Sequence, residues 1–501
     1  MKNRLKTIAL VLLVGFSACD DFVEVDPIGP DADDYFNNQA DYENALLGAY
    51  DLLQGSFWSV LTSVVASDDY AAGGDTSTED QPTLQNINRM EHTPLDENQL
   101  RDIFNLMNAG IQRTNYLLEF KNKTDFEGRD NIIAQAYFLR AYYTFELAKF
   151  YGNVPLKVED RNGVKRIVDS RIVIGEQFDV NRTENVAEVY GIIEEDLKEA
   201  ILSLNPTQDA DFKATKAAAQ ALLGKVYLYH GTFDPTKFAD AAMMLNNVIG
   251  QYSLTTGQDY LDLFESSMEN SSESVFEIQY SGVQAGSWDC VTCGAGTLFP
   301  QYVGPRPPYD SQVYGTGFGF CLPSQELYDL FDGNDARREV SFFDLRDAQD
   351  SYSQGRDDTG LFNKKYMVRK VDPRLGNDVM NHGNNYRSIR YADVLLMAAE
   401  AEAQSGGSNA QNYLNQVRAR AYGNNSNDFT SAEGDLLEAI YTERRKELAG
   451  EGHRFFDLVR TNKAANAIEG FTAGKNEFFP IPLIELQLAN AVERWGNENY
   501  E

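Results

Sequence analysis

Residues 391–406 read YADVLLMAAEAEAQSG, residues 409–423 read NAQNYLNQVRARAYG, and residues 436–460 read LLEAIYTERRKELAGEGHRFFDLVR. In the first run Tyr391, Val394, Leu395, Leu396, Met397, Ala398, Ala399 and Ala401 leave almost no polar side. A helix that is apolar all round is buried. Gly406 and Gly407 end it, because glycine adopts the left-handed C-terminal conformation at little cost. The second run spaces Ala410, Tyr413, Leu414, Val417 and Ala421 as one helical stripe. The third carries Leu436, Leu437, Ile440 and Leu448, with Glu443, Arg444, Arg445, Lys446 and Glu447 between them. Gly450 and Gly452 break it before Phe455, Phe456, Leu458 and Val459 restart an apolar face.

Outward from these runs the same periodicity recurs. Helices are expected at 40–53, 97–120, 130–151, 184–204, 213–230 and 236–250, then at 386–405, 409–422 and 434–449. Leu139-Arg140-x-x-Tyr143 echoes the Leu-Gly-x-x-Tyr pattern of tetratricopeptide helices, and Leu223-Gly224-Lys225-Val226-Tyr227 follows it more fully, with a small residue that lets paired helices approach closely. Such pairs cannot bury their faces alone and must stack. The fold class is therefore mostly α: about four tetratricopeptide-like helix pairs forming a superhelical scaffold. Between 255 and 385 Gly, Pro, Ser, Asp and aromatics take over. Helical periodicity survives there only at 325–331, and strand-like runs are expected at 275–280 and 366–371. This stretch reads as a loop-rich insertion within a single domain of residues 39–501, whose scaffold is 39–254 and 386–501. A second polar, glycine-bearing loop, SDDYAAGGDTSTEDQPT, spans 67–83; long polar loops in compact scaffolds carry function.

YADVLLMAAEA, ERRKELAGEGHRFFDLVR, the earlier RAYYTFELAKFYGNVPL at 140–156 and the closing FFPIPLIEL at 478–486 occur in order. They resemble the SusD/RagB family of Bacteroidetes surface lipoproteins. The resemblance covers nearly the whole chain and is weakest between 255 and 385. It implies non-catalytic capture of an oligo- or polysaccharide beside a SusC-like TonB-dependent transporter, to which the glycan is delivered. It also implies a ligand platform formed by an early loop and the insertion, which by position gives Asp68, Asp69 and Tyr70 to the early loop.

The N-terminus fits that location. Lys2, Arg4 and Lys6 precede an apolar run at 8–16, then Ser17, Ala18 and Cys19. Residues 1–18 read as a signal peptide, with an apolar run too short to span a bilayer. Cys19 sits in a lipobox-like context and is the expected lipidation site; several acyl chains, at about 0.8 kcal/mol per buried methylene, would anchor it stably. Ordinary cleavage that leaves Cys19 unmodified is the alternative. Residues 19–38 form an acidic tether. By resemblance, Asp20 and Asp21 after the lipidated cysteine direct the protein to the cell-surface side of the outer membrane.

The net charge is −32, and removal of residues 1–18, which hold three cations and no acid, takes it to −35. Such a chain repels phosphate backbones, so no nucleic acid is expected as partner, and a neutral glycan is favoured over a polyanion. Export permits a loop-stapling disulfide involving Cys321 or a neighbour among Cys290 and Cys293, with one thiol left over. The single CxxC lacks the further ligands zinc requires.

No cofactor, metal or catalytic group is expected. His92, His230, His382 and His453 stand in no HExxH, and no GxSxG occurs. Glu443 and Glu447 lie one helical turn apart, but the cations among them point to an ion-pair network rather than an acid pair. His453 and Asp457 read the same way. Gly315-Thr-Gly317-Phe-Gly319 lacks the Lys-Ser/Thr of a phosphate loop, and 332–335 is too short for an EF-hand, leaving at most a single calcium.

Sugars need rings for their apolar face and Asp, Asn, Gln or Arg for their hydroxyls. The insertion supplies Trp288, Tyr302, Arg306, Tyr309, Asp310, Tyr314, Phe318 and Phe320 in glycine- and proline-rich sequence, where a ring is hard to bury. Trp288, Tyr302, Tyr309 and Tyr314, with Asp68, Asp69 and Tyr70, are the expected glycan-binding residues; Trp58 is expected to pack. Three rival readings remain open: a transporter lid or assembly protein without glycan affinity, a binder of peptides or glycoproteins, and a surface glycosidase.

Overall fold

The computed structural model describes residues 35–77, 80–160, 166–174, 180–283, 286, 294–346, 351–372, 379–496 and 500. Cys19, Trp288, Cys290 and Cys293 lie outside the described residues.

The helices come where the apolar periodicity places them. Gln39–Asp51, Asn98–Glu119, Arg129–Tyr151, Val186–Ser203, Lys216–His230, Lys237–Asn246, Tyr391–Ser405, Ala410–Tyr422 and Leu436–Glu447 form the scaffold. Side chains start several of them: Asn38, Asn185, Thr215 and Asp435 each accept a hydrogen bond from the backbone N–H three residues on, satisfying one of the donors a helix start leaves open. Gly406, at φ +77°, closes Tyr391–Ser405 as expected.

Packing runs as one continuous series. Arg129–Tyr151 lies between Asn98–Glu119 and Val186–Ser203; the latter packs on Lys216–His230, which packs on Lys237–Asn246. That helix then meets Tyr391–Ser405 directly, across the whole insertion, and Tyr391–Ser405 packs on Ala410–Tyr422 and Leu436–Glu447. The close approaches use small residues. A Cβ at Gly110 would stand 2.5 Å from the buried Tyr143 ring, and one at Gly224 would stand 2.5 Å from Leu245. Arg140, at the position matching Gly224, does something else. It is fully buried and donates twice to Asp196 at 2.7 Å, and to Asn115 and the Ser170 carbonyl at 3.0 Å. It thereby ties three elements of the scaffold together.

The strands are short and paired two by two. β1 (Tyr70–Gly73) pairs antiparallel with β5 (Phe320–Pro323), β2 (Leu156–Asp160) with β3 (Ser170–Ile174), β4 (Ser274–Ile278) with β8 (Tyr386–Arg390), and β6 (Phe342–Asp344) with β7 (Leu361–Asn363). The β4–β8 pair closes the two ends of the insertion against each other. Residues 386–390, expected as helix, are strand, so the helix begins at Tyr391. The strand expected at 366–371 does not form. The Arg369 guanidinium donates to the carbonyls of Lys364, Lys365 and Met367 at 3.1–3.2 Å, and these take up acceptors a ladder would need. The β2–β3 hairpin has no forerunner in the helical pattern.

Candidate functional site

The early loop and the insertion meet backbone to backbone. β1 and β5 align Tyr70 with Pro323 and Gly73 with Phe320. Past the strands, Gly74 N donates to Gly319 O at 2.8 Å, Gly319 N to Gly304 O at 2.9 Å, and Arg356 N to Gly74 O at 3.0 Å. A Cβ at Gly73 would lie 2.2 Å from Gly319 O, and one at Gly317 would lie 2.5 Å from the Gly304 backbone. Only glycine permits this seam, which is the use of the Gly315–Gly319 run. Arg306 lies across it: one nitrogen donates to Asp75 at 2.6 Å and another to the Phe318 carbonyl at 3.0 Å. Ser77 donates twice to Asp75 at 2.7 Å. Those bonds, with the Arg306 charge, hold the Asp75 carboxyl below its usual range.

Most of the expected site residues are not at this surface. Tyr302 is 3% exposed in the short helix Phe299–Val303, its ring 6.1 Å from Trp58, 5.9 Å from Phe318 and 5.3 Å from Phe320. Tyr309 is 1% exposed, 5.9 Å from the Phe343 ring. Tyr70 is buried on β1. None of these three offers a ring face to a ligand, which corrects the expectation made for them. The reason is physical: glycines let the backbones close up, and the rings fill the space beneath. Trp58 packs, as expected, on Phe57 and Tyr302.

Asp68 and Asp69 are also correctly located but differently employed. Asp68 accepts both ends of Arg454 at 2.9 and 2.7 Å. Asp69 is fully buried and accepts from Arg445 Nε at 2.8 Å, while Arg445 reaches Glu326 at 3.1 Å. Burial, then the charge of Asp68, push the Asp69 carboxyl up to about 6, against the pull of Arg445 and Arg454. Two scaffold arginines therefore clamp the early loop through its carboxylates. Tyr314 alone among the described expected rings is half-buried, 5.0 Å from Phe343.

The half-exposed groups around the seam form the candidate ligand surface: Asp75, Arg306, Tyr314, Phe318, Tyr352 and Asp358. Phe318 rests edge-on against buried Tyr302, so the buried rings are its floor. Ser353 N donates to Pro307 O at 3.2 Å, and the Tyr352 hydroxyl donates to Asp358 at 3.0 Å. This surface offers apolar ring area beside fixed carboxylate and guanidinium groups, the combination a pyranose needs. Tyr352 was missed because it stands alone in a largely polar run, AQDSYSQG at 348–355.

The motif ERRKELAGEGHRFFDLVR is internal. Arg390, 2% exposed, reaches Glu451 at 2.8 Å through two nitrogens, Glu447 at 2.7 Å and Glu273 at 2.9 Å. Arg420 also holds Glu447, at 2.5 Å, and Glu273, at 3.2 Å. Lys365 bonds Glu451 at 2.7 Å, and Arg337 bonds Glu443. Facing cations hold the Glu447 and Glu451 carboxyls below their usual range despite burial. Glu443 and Glu447 are thus ion-pair partners of remote arginines, as the network reading expects. His453, by burial and by Lys225 beside it, is pushed down to about 3. Asp335 is taken by Arg337 at 2.8 Å and Lys446 at 2.6 Å. Cys321 is a free, buried thiol, and is thus the thiol left over if a loop disulfide forms between Cys290 and Cys293, which lie outside the described residues; burial pushes the Cys321 pKa well up. Among the described residues no helix is long and apolar enough to cross a membrane, and no group of three His, Cys, Asp or Glu side chains could hold a metal.

Comparison with known proteins gives a consistent picture. A family model described as the SusD family matches residues 341–480, and one described as starch-binding, associating with outer membrane, matches residues 21–228. SusD-like protein P2 of Formosa agariphila is 28% identical, with 97% of each chain covered. A solved laminarin-binding SusD-like protein is 33% identical, with 90% of this chain and 98% of that one covered and a TM-score of 0.76. Surface glycan-binding protein A of Bacteroides thetaiotaomicron, solved with laminarihexaose, is 26% identical, with 92% and 99% covered and a TM-score of 0.80.

Proposed function

This chain belongs to the SusD family, and from that premise we propose that it captures a laminarin-type glucan at the cell surface and delivers it to a TonB-dependent outer-membrane transporter. The observation that carries the reading is the likeness, over nearly the whole chain, to a laminarin-binding SusD-like protein. In this proposal residues 1–18 are removed, Cys19 carries the lipid, 19–38 are the tether and 39–501 the binding domain. A glucan without charge suits a chain of net charge −32. Binding is non-catalytic: the carboxylates spaced like an acid pair, Glu443 and Glu447, are held by Arg337, Arg418, Arg390 and Arg420.

The ligand lies over the seam, with Phe318 and Tyr314 against sugar rings and Arg306, Asp75 and Asp358 bonding hydroxyls. Trp288, expected from the sequence, is proposed as a further glycan contact. Isothermal titration with laminarihexaose tests this. Phe318→Ala weakens binding about five- to tenfold, the loss of roughly 1 kcal/mol of ring contact, with the melting temperature nearly unchanged. Trp288→Ala abolishes or strongly weakens retention in laminarin affinity gels. No affinity for laminarin or any other glycan in the wild-type protein, together with co-purification with the transporter, would establish the lid reading instead.

A further inference from the structure

The two halves of the scaffold meet at a polar chamber. It lies beneath Ser56 and the helix Phe57–Val65, and Arg129–Tyr151, Lys216–His230, β8 and the turn at Gly452–His453 complete its walls. Its volume is about 30 Å³. A water molecule needs about 10–15 Å³ measured this way, so the space suits two. The walls carry more hydrogen-bonding capacity than they use. Ser56 and Ser59 hydroxyls are buried without a protein partner. Lys149 Nζ has three protons and one ion-pair contact, with Glu146 at 2.5 Å. Lys225 Nζ reaches Asp393 Oδ2 and His453 Nδ1 only at 3.4 Å each. Tyr142 and Ser388 satisfy each other at 3.0 Å.

We infer that this chamber binds a pair of ordered water molecules that solvate the Lys149 and Lys225 ammonium groups and satisfy Ser56 and Ser59. Water fits because it accepts from lysine and both donates to and accepts from serine. A halide would only accept. It would also bring a charge that the walls do not balance, since Lys149 is offset by Glu146, and Lys225 with Arg444 by Asp393 and Asp457. The chamber lets charged side chains occupy the join of the two scaffold halves without losing their hydration.

A crystal structure of the protein at about 1.5 Å resolution, with a bromide-soaked crystal measured beside it, reads this directly. Two waters at hydrogen-bond distance from Lys149 Nζ, Lys225 Nζ and the serine hydroxyls, and no anomalous peak, are expected. A dry chamber, or a bromide peak there, overturns the assignment. The sign of one thermal shift is a second test. With bound water, Ser56→Ala lowers Tm by about 1–3 °C. In a dry chamber the same change removes an unsatisfied buried hydroxyl and raises Tm.

Discussion

The ion-pair hub around Glu447 and the candidate ligand surface around Arg306 are built from opposite materials. In the hub, side chains do the joining. Arg390, Arg420, Lys365 and Arg337 bring the insertion and scaffold together through buried carboxylates, each with several partners. At the seam around Arg306, backbones do the joining, through glycines and one half-exposed arginine. Removing a partner from a buried network leaves a charge stranded in low dielectric, whereas the same loss near solvent is largely absorbed by water. The hub is therefore where the fold is fixed, and the seam is where it can vary.

The contrast is sharpest in the arginines themselves. Arg390→Met takes one cation from Glu447, Glu451 and Glu273 at once, leaving Arg420 and Lys365 to hold three buried carboxylates, and is expected to cost about 3–5 kcal/mol in urea unfolding. Arg306→Met, which breaks a pair with Asp75 at 37% exposure, is expected to cost about 0–1 kcal/mol while weakening laminarihexaose binding. Equal costs would erase the distinction between hub and seam.

Acid attacks the interior next. His453 and His92 are buried with their pKa values pushed down to about 3. The unfolded chain takes up protons below about pH 6.5 that the folded chain refuses, so this stability is fully present above pH 6.5 and falls as pH drops toward 3. The slope is about 1.4 kcal/mol per pH unit for each histidine. Urea midpoints at pH 7.5 and 5.5 should therefore differ. His453→Gln is expected to lose about 1.4 kcal/mol less than the wild type between these two pH values, because the raised carboxyls of Asp69, Asp102 and Glu269, which act in the opposite sense over this window, contribute equally to both proteins. Below about pH 4.5 the depressed carboxylates of Glu447, Glu451, Asp393 and Asp457 add a second loss of the same sign.

Smaller effects separate packed from open glycines. Gly110→Ala pushes a methyl into the Tyr143 ring, which is held by its hydroxyl bond to Ala49 O at 2.6 Å. It is expected to cost about 1–3 kcal/mol. Gly191, inside Val186–Ser203, has nothing within 4 Å of an added Cβ. Gly191→Ala is expected to stabilise by up to about 1 kcal/mol, measured as a rise in Tm. A loss there would mean an unrecognised contact on that helix face.

How much of this was legible follows from range. Helices announce themselves within a few residues, so 129–151, 186–203 and 410–422 were readable almost to their ends. The family resemblance was readable in the same stretches. The role of the Arg-rich motif as internal glue was readable too, but its partners were not: Arg445 meets Asp69 across 376 positions and Arg454 meets Asp68 across 386. Burial in the insertion failed for a related reason. Tyr302 and Tyr309 look exposed in sequence because glycine and proline surround them. Glycine's meaning there is close approach of another backbone, which only the tertiary fold reveals. Phe318 and Arg306 could be named from composition, and Tyr352 could not.

The seam has a consequence for how such a protein diversifies. Gly73, Gly74 and Gly319 join early loop to insertion through main-chain atoms, and main-chain bonds are indifferent to neighbouring side chains. With the glycines kept, the outward residues on either side can be exchanged without renegotiating the junction. Whole loops from a relative with another sugar preference should be graftable here, making the seam a socket for inherited or engineered changes of diet.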